Sequence, residues 1–218
     1  MTYSIAIPTV DRPYRSHLFH RLVETGTLTH PLVKGFHVAY DRDPNRNAEH
    51  ALLAAVEDDT DYVIFLEDDV EIVNDFIGSV ERFIADVRRT EQGAHFYSLG
   101  CGAKRALRQA RAAGDRWWRY PLKDYYGTCG LVFPTANARE FATLQHRQLD
   151  WMVSWNQMDV NLVRWQERTS PTRSWVPTPT TCLINHLGAQ SSLSTDATHW
   201  TGQFDGFRDI MYEYPCVS

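Results

Sequence analysis

No two of the four cysteines, Cys101, Cys129, Cys182 and Cys216, stand close enough to write a CxxC pair, so neither a zinc knuckle nor a dithiol redox motif is encoded locally. Reduced thiols in a cytosolic protein are the simplest reading of them. No apolar run approaches the length of a membrane span, and the N-terminal MTYSIAIPTV carries no charged leader. These absences predict a protein of the cytoplasm, of the producing cell or, if the source is viral, of its host. Repeats, low-complexity tracts and linkers are missing as well, which predicts one compact domain over residues 1–218. Positive charge is not in excess: 22 Lys and Arg against 27 Asp and Glu leave a net charge of −5. That excludes a generic polyanion binder but leaves room for a local basic patch.

What is present is an ordinary core and a regular alternation. Hydrophobic residues make up 43% and charged residues 22%, as in typical globular domains. YSIAIPT (3–9) reads as a strand ended by Pro8. RSHLFHRLVETG (15–26) has helical spacing and stops at Gly26. KGFHVAYD (34–41) reads as a strand, NAEHALLAAVEDD (47–59) as a helix capped by Asn47, and YVIFL (62–66) as a strand buried on both faces. NDFIGSVERFIADVRRT (74–90) is a further capped helix. This β-α-β-α-β-α order predicts an α/β fold with a mainly parallel central sheet flanked by helices. The second half is less regular. HFYSLG (95–100) and GTCGLVFPT (127–135) read as strands, and ANAREFATLQHR and MDVNLVRWQ (158–166) as helices. From about residue 168 the prolines predict an irregular tail of loops with short strands.

The strand YVIFL runs directly into Glu67, Asp68 and Asp69. If strand geometry persists, Glu67 and Asp69 face one way and Asp68 the other. In a parallel α/β sheet, ligands bind beyond the carboxyl ends of the strands, where these acids lie. A crowded set of carboxylates is stabilised there by a divalent cation, Mn²⁺ or Mg²⁺, that also holds a diphosphate. The plain alternative is a solvated acidic turn.

Five segments in order resemble the GT-A glycosyltransferases, the nucleotide-sugar-dependent class with a DxD-type metal motif: IAIPTVDRP, NRNAEHALLAAVEDDTDYVIFLEDDV, YYGTCGLVFPTANAREF, NQMDVNLVRW and LINHLGAQSS. The resemblance spans residues 3–193 and implies a nucleotide-sugar half over about residues 1–100 and an acceptor half over about 101–218. It implies that Asp69, with Glu67 and His186, binds the metal, here with EDD in place of DxD. It leaves open how the three acids divide the metal and the ribose. His199 is the rival of His186. Pro8, Thr9, Asp11, Arg12, Asn47 and Asp68 would line the site of the donor, expected to be UDP-linked. Asp159 would be the general base of an inverting transfer, with Asp150 as the alternative; Asp159 also suits capping of the helix that follows it.

Residues 101–124 hold seven basic residues against two acids, an excess of five positive charges, with Trp117, Trp118, Tyr120, Tyr125 and Tyr126 interleaved or following. Arg105, Arg108, Trp117, Trp118, Tyr126 and Gly127 are the expected acceptor side. An anionic acceptor fits this pattern, such as a hydroxymethylated DNA base or an acidic glycan. A solvated helix followed by anchoring tryptophans fits it equally. Two rival functions remain. A nucleotidyltransferase would place a glycine-rich basic loop after the first strand, and PTVDRPYRS has no glycine. A non-catalytic sugar- or nucleic-acid-binding module would not need the acids, Asp159 and His186 together.

Overall fold

Five consecutive apolar residues, Tyr62–Leu66, are all buried and form the middle strand of a five-stranded sheet. A computed structural model describes residues 1–9, 15–41, 44–100, 104–125, 127–147, Met152 and 158–186. Among these the elements run β1 (Tyr3–Thr9), α1 (Arg15–Glu24), β2 (Val33–Tyr40), α2 (Pro44–Ala55), β3 (Tyr62–Leu66), β4 (Val70–Ile72), α3 (Phe76–Thr90) and β5 (Tyr97–Ser98). They continue with α4 (Lys104–Ala112), β6 (Trp117–Pro121), β7 (Gly130–Pro134), α5 (Thr135–His146), α6 (Met158–Thr169), β8 (Trp175–Pro179) and β9 (Ile184–His186).

The sheet order is β2-β1-β3-β7-β5. β1 is parallel to both β2 and β3. β7 runs antiparallel to β3 and to β5, so four strands share one direction and β7 opposes them. The fold is α/β, with a mostly parallel central sheet and helices on both faces. Alternation along the strands feeds both sides. Val63, Phe65, Leu131 and Phe133 pack with residues of α2, α5 and α6. Tyr62, Ile64, Leu66 and Val132 pack with residues of α1 and α3. Truncating a sealed ring such as Phe65 to alanine costs about 3–5 kcal/mol. Two further pairs flank the sheet, β4 with β9 and β6 with β8, both antiparallel. Among the described residues no helix is long and apolar enough to cross a membrane.

Several local expectations are corrected. Pro8 does not end β1, which continues to Thr9. Proline is tolerated there because the β1–β3 register stops at Ala6↔Phe65, leaving only β2 alongside. Asn47 is not a helix cap. α2 begins three residues earlier at Pro44, a residue suited to a first helical position, and Asn47 is buried inside the helix. Asn74 does not cap α3 either. Its Oδ1 accepts from Arg21 at 2.9 Å, and Asp75 holds the cap position without a capping hydrogen bond. Trp117 and Trp118 lie in a strand, β6, whose pairing with β8 was not legible locally.

Candidate functional site

The register of β1 with β3, Tyr3↔Tyr62 to Ala6↔Phe65, brings Thr9 beside Asp68 when continued three residues. Thr9 Oγ1 donates to Asp68 Oδ2 at 2.8 Å, with the two residues 1% and 5% exposed. From α2, Asn47 Nδ2 donates to the Thr9 carbonyl at 2.7 Å. The Asn47 Oδ1 is buried and has no hydrogen-bond partner among the described residues. A helix position that looked like a cap thus becomes a side chain reaching under the end of β1. Pro8 lies half-buried beside them. Asp11 and Arg12 lie outside the described residues.

Strand geometry does not persist beyond Leu66, and Asp68 and Asp69 lie in a turn; Glu67 and Asp69 come close to His186, whereas Asp68 meets Thr9. β9 pairs with β4 in the register Val70↔His186, which sets the imidazole next to Asp69. His186 Nε2 and Asp69 Oδ2 are 3.2 Å apart. The Glu67 N–H donates to the Cys129 carbonyl at 3.0 Å, tying the end of β3 to the start of β7. Thr128 Oγ1 donates to Glu67 Oε1 at 2.6 Å. One donor atom each from Glu67, Cys129 and His186 lies within 4.8 Å of the others. Each of the three acids therefore has its own partner, which is how the cluster tolerates its repulsion: Thr128 for Glu67, Thr9 for Asp68, His186 for Asp69.

Cys129 was missed by sequence reasoning, which looked for paired cysteines. The available signal was its place in GTCGLVF, between two glycines at the mouth of a strand. Gly127 has φ of 102°, which only glycine adopts cheaply. It turns the chain so that Thr128 and Cys129 can meet Glu67.

The electrostatics follow from burial and crowding. Burial and the neighbouring Asp69 carboxylate raise Glu67 above its ordinary range, against the opposing pull of His186 and Thr128. Burial, with Glu67 adding, pushes the Cys129 thiol up to about 11. Burial alone would lower His186, but Cys129 and the hydrogen bond to Asp69 outweigh it and push the imidazolium up to about 12. The oxygen, nitrogen and sulfur donors on three segments suit a divalent cation of transition-metal character.

Asp159 stands in the first turn of α6, where its Oδ1 accepts from the Val160 N–H at 2.8 Å. It is one residue inside the helix and not the cap. Tyr125 is buried, and burial raises its phenol well above the ordinary range, with Cys129 and Asp159 adding to the rise against the Ser98 hydroxyl. Asp150, His199 and Tyr126 lie outside the described residues.

Arg105 and Arg108 are exposed on α4, whose Leu107 and Ala110 are buried. The tryptophans are engaged within the protein. Trp117 packs on Trp175 with ring centroids 6.0 Å apart, and the Arg119 guanidinium lies 5.8 Å and 5.2 Å from the two rings. Trp118 stacks on Tyr120 at 5.3 Å. Part of the local positive charge is met by acids around the end of α3: Arg116 pairs with Asp86 at 3.2 Å, and Arg119 with Glu91.

No family model and no curated protein matches the sequence. Among solved structures, the chain is similar to a mutant of Drosophila β1,4-galactosyltransferase 7 in complex with manganese, UDP-Gal and xylobiose, at 12% identity and a TM-score of 0.47, over 85% of this chain and 70% of that chain. It is also similar to the galactosyltransferase LgtC in complex with donor and acceptor sugar analogs, at 11% identity and a TM-score of 0.43, over 97% of each chain.

Proposed function

We propose that the chain is a metal-dependent glycosyltransferase that moves a sugar from a nucleotide-sugar donor, UDP-linked, to a hydroxyl acceptor. The observation that carries this reading is the convergence at the carboxyl ends of the parallel strands β1 and β3. There Asp68, Thr9 and Asn47 stand on one side, and Glu67, Asp69 and His186 on the other. Ligands of open α/β sheets bind at that edge.

The buried Asn47 Oδ1 requires a donor from outside the described protein. A ribose hydroxyl or a base N–H meets that need, with Asp68 accepting from the ribose and Pro8, Thr9, Asp11 and Arg12 lining the nucleotide. Glu67, Asp69 and His186 hold a divalent cation, Mn²⁺ or Mg²⁺, which when bound stabilises the charge on the departing diphosphate. Asp159 accepts the proton of the acceptor hydroxyl as that oxygen attacks the anomeric carbon, an inverting displacement. The exposed Arg105 and Arg108, with the backbone near Gly127, favour an anionic acceptor such as a modified nucleic-acid base or an acidic glycan. The packing of Trp117 and Trp118 leaves the arginines as the stronger part of that argument.

The test is a hydrolysis and binding screen of nucleotide sugars with and without Mn²⁺. Metal-dependent release of UDP from one donor is expected. Release of pyrophosphate from a nucleoside triphosphate would make it a nucleotidyltransferase. Donor binding without turnover against any acceptor would make it a binding module.

A further inference from the structure

We infer that Cys129 is a direct ligand of the cation, and that Glu67, Cys129 and His186 together form a mixed oxygen–sulfur–nitrogen site that selects Zn²⁺ or Co²⁺ over Mg²⁺. The inference rests on the proposed metal-dependent reading and revises its ligand set: Cys129 takes the place of Asp69, which becomes the carboxylate behind His186, and the preferred ion changes with it. The three donor atoms lie within 4.8 Å of one another. Zn²⁺ ligands sit at about 2.0–2.3 Å from the ion, which at a tetrahedral centre sets them about 3.3–3.8 Å from one another. The three donors would have to draw together by at most about 1.5 Å to close around an ion.

The surroundings are those of a prepared site. Thr128 holds one Glu67 oxygen at 2.6 Å, and the Cys129 side chain lies against the same carboxylate. The Glu67 N–H bond to the Cys129 carbonyl, 3.0 Å, fixes the two backbones against each other. Asp69 Oδ2 lies 3.2 Å from His186 Nε2, so an ion taken by Nδ1 would leave Asp69 as an outer carboxylate that orients the ring. Three ligands from the protein leave a further position for a phosphate oxygen of the donor. Cys129 forms no disulfide. On ligation its proton leaves to solvent and the thiolate sulfur bonds the cation. A soft sulfur donor disfavours Mg²⁺, which prefers all-oxygen surroundings, and favours later first-row ions.

The full chain, stripped of metal, is titrated with Co²⁺ and followed by absorption. Ligand-field bands of a low-coordinate ion are expected together with a sulfur-to-cobalt charge-transfer band in the near ultraviolet. Cys129→Ser should lose the charge-transfer band and weaken Zn²⁺ binding at least about 10-fold, while Cys182→Ser keeps both. If Cys129→Ser fails to fold, X-ray absorption of the Zn²⁺-loaded wild type decides: a sulfur neighbour at about 2.3 Å is expected. Oxygen and nitrogen neighbours alone, a charge-transfer band that survives in Cys129→Ser, or no such band at all would overturn the assignment. Metal-dependent donor hydrolysis without a sulfur signal would leave the glycosyltransferase reading standing and remove Cys129. A sulfur signal without hydrolysis of any donor would do the reverse.

Discussion

Replacing Thr9 by valine tests the joint that ties the sheet to the acidic cluster. Thr9 Oγ1 donates to Asp68 Oδ2 at 2.8 Å, and the two residues are only 1% and 5% exposed. Valine keeps the branched shape and the strand preference, so the change removes the hydroxyl and little else. The Asn47 bond is made to the Thr9 carbonyl and survives. A hydrogen bond to a charged group contributes about 1.5–3 kcal/mol, and removing it leaves a carboxylate under-solvated at a sealed position. In a protein of this length each kcal/mol moves Tm by about 2–4 °C, so a fall of about 3–12 °C is expected. Differential scanning calorimetry at neutral pH reads it directly. Thr9→Ser keeps the hydroxyl and loses one buried methyl, about 0.8 kcal/mol, so it should fall clearly less. Thr9→Val melting together with the wild type, or Thr9→Ser falling as far as Thr9→Val, would refute the reasoning. Either result would mean that this hydroxyl contributes little to holding Asp68 and that the register argument does not reach the site.

Asp69→Ala should weaken Mn²⁺-dependent UDP binding by at least about 10-fold, because it removes the carboxylate on His186, and should leave the fold intact; calorimetric titration with an undiminished affinity would remove Asp69 from the site. Asp159→Asn should slow transfer about 10²–10⁴-fold with donor affinity spared; full turnover would place the base elsewhere. Arg105→Glu with Arg108→Glu should weaken an anionic acceptor and flatten its salt dependence while donor hydrolysis is unchanged; tight, salt-insensitive binding of a neutral glycan in the wild type would leave these arginines as a solvated face. Gly35→Ala should destabilise the protein, because the added Cβ would overlap the Asp58 carboxylate that accepts from Ser4 and lies 2.6 Å from His37 Nε2; an unchanged urea midpoint would show that Asp58 moves away at no cost.

Much of the fold was legible because it is written at short range. The apolar run Tyr62–Leu66 could only be satisfied by burial on both faces, and the helical spacing of Phe76–Thr90 by packing one stripe against a sheet. Gly26, with φ of 66°, marks the end of α1 where the sequence suggested. The errors fall where a short-range rule had a long-range competitor. Asn47 has the chemistry of a cap, but the carbonyl of Thr9, far away in the chain, takes its amide. Asn74 likewise faces Arg21.

By itself the sequence determined the alternation of strands and helices and the position of the acidic triplet at a strand end, since each depends on residues a few positions apart. Only the tertiary structure decided which partner each acid meets. The parallel register brings Thr9 to Asp68, the β4–β9 pairing brings His186 to Asp69, and the turn at Gly127 brings Thr128 and Cys129 to Glu67. Those meetings depend on strand pairing between distant segments. No local periodicity encodes such pairing, which is why a cysteine read only as a reduced thiol in the chain stands in the fold among the groups that could bind a metal.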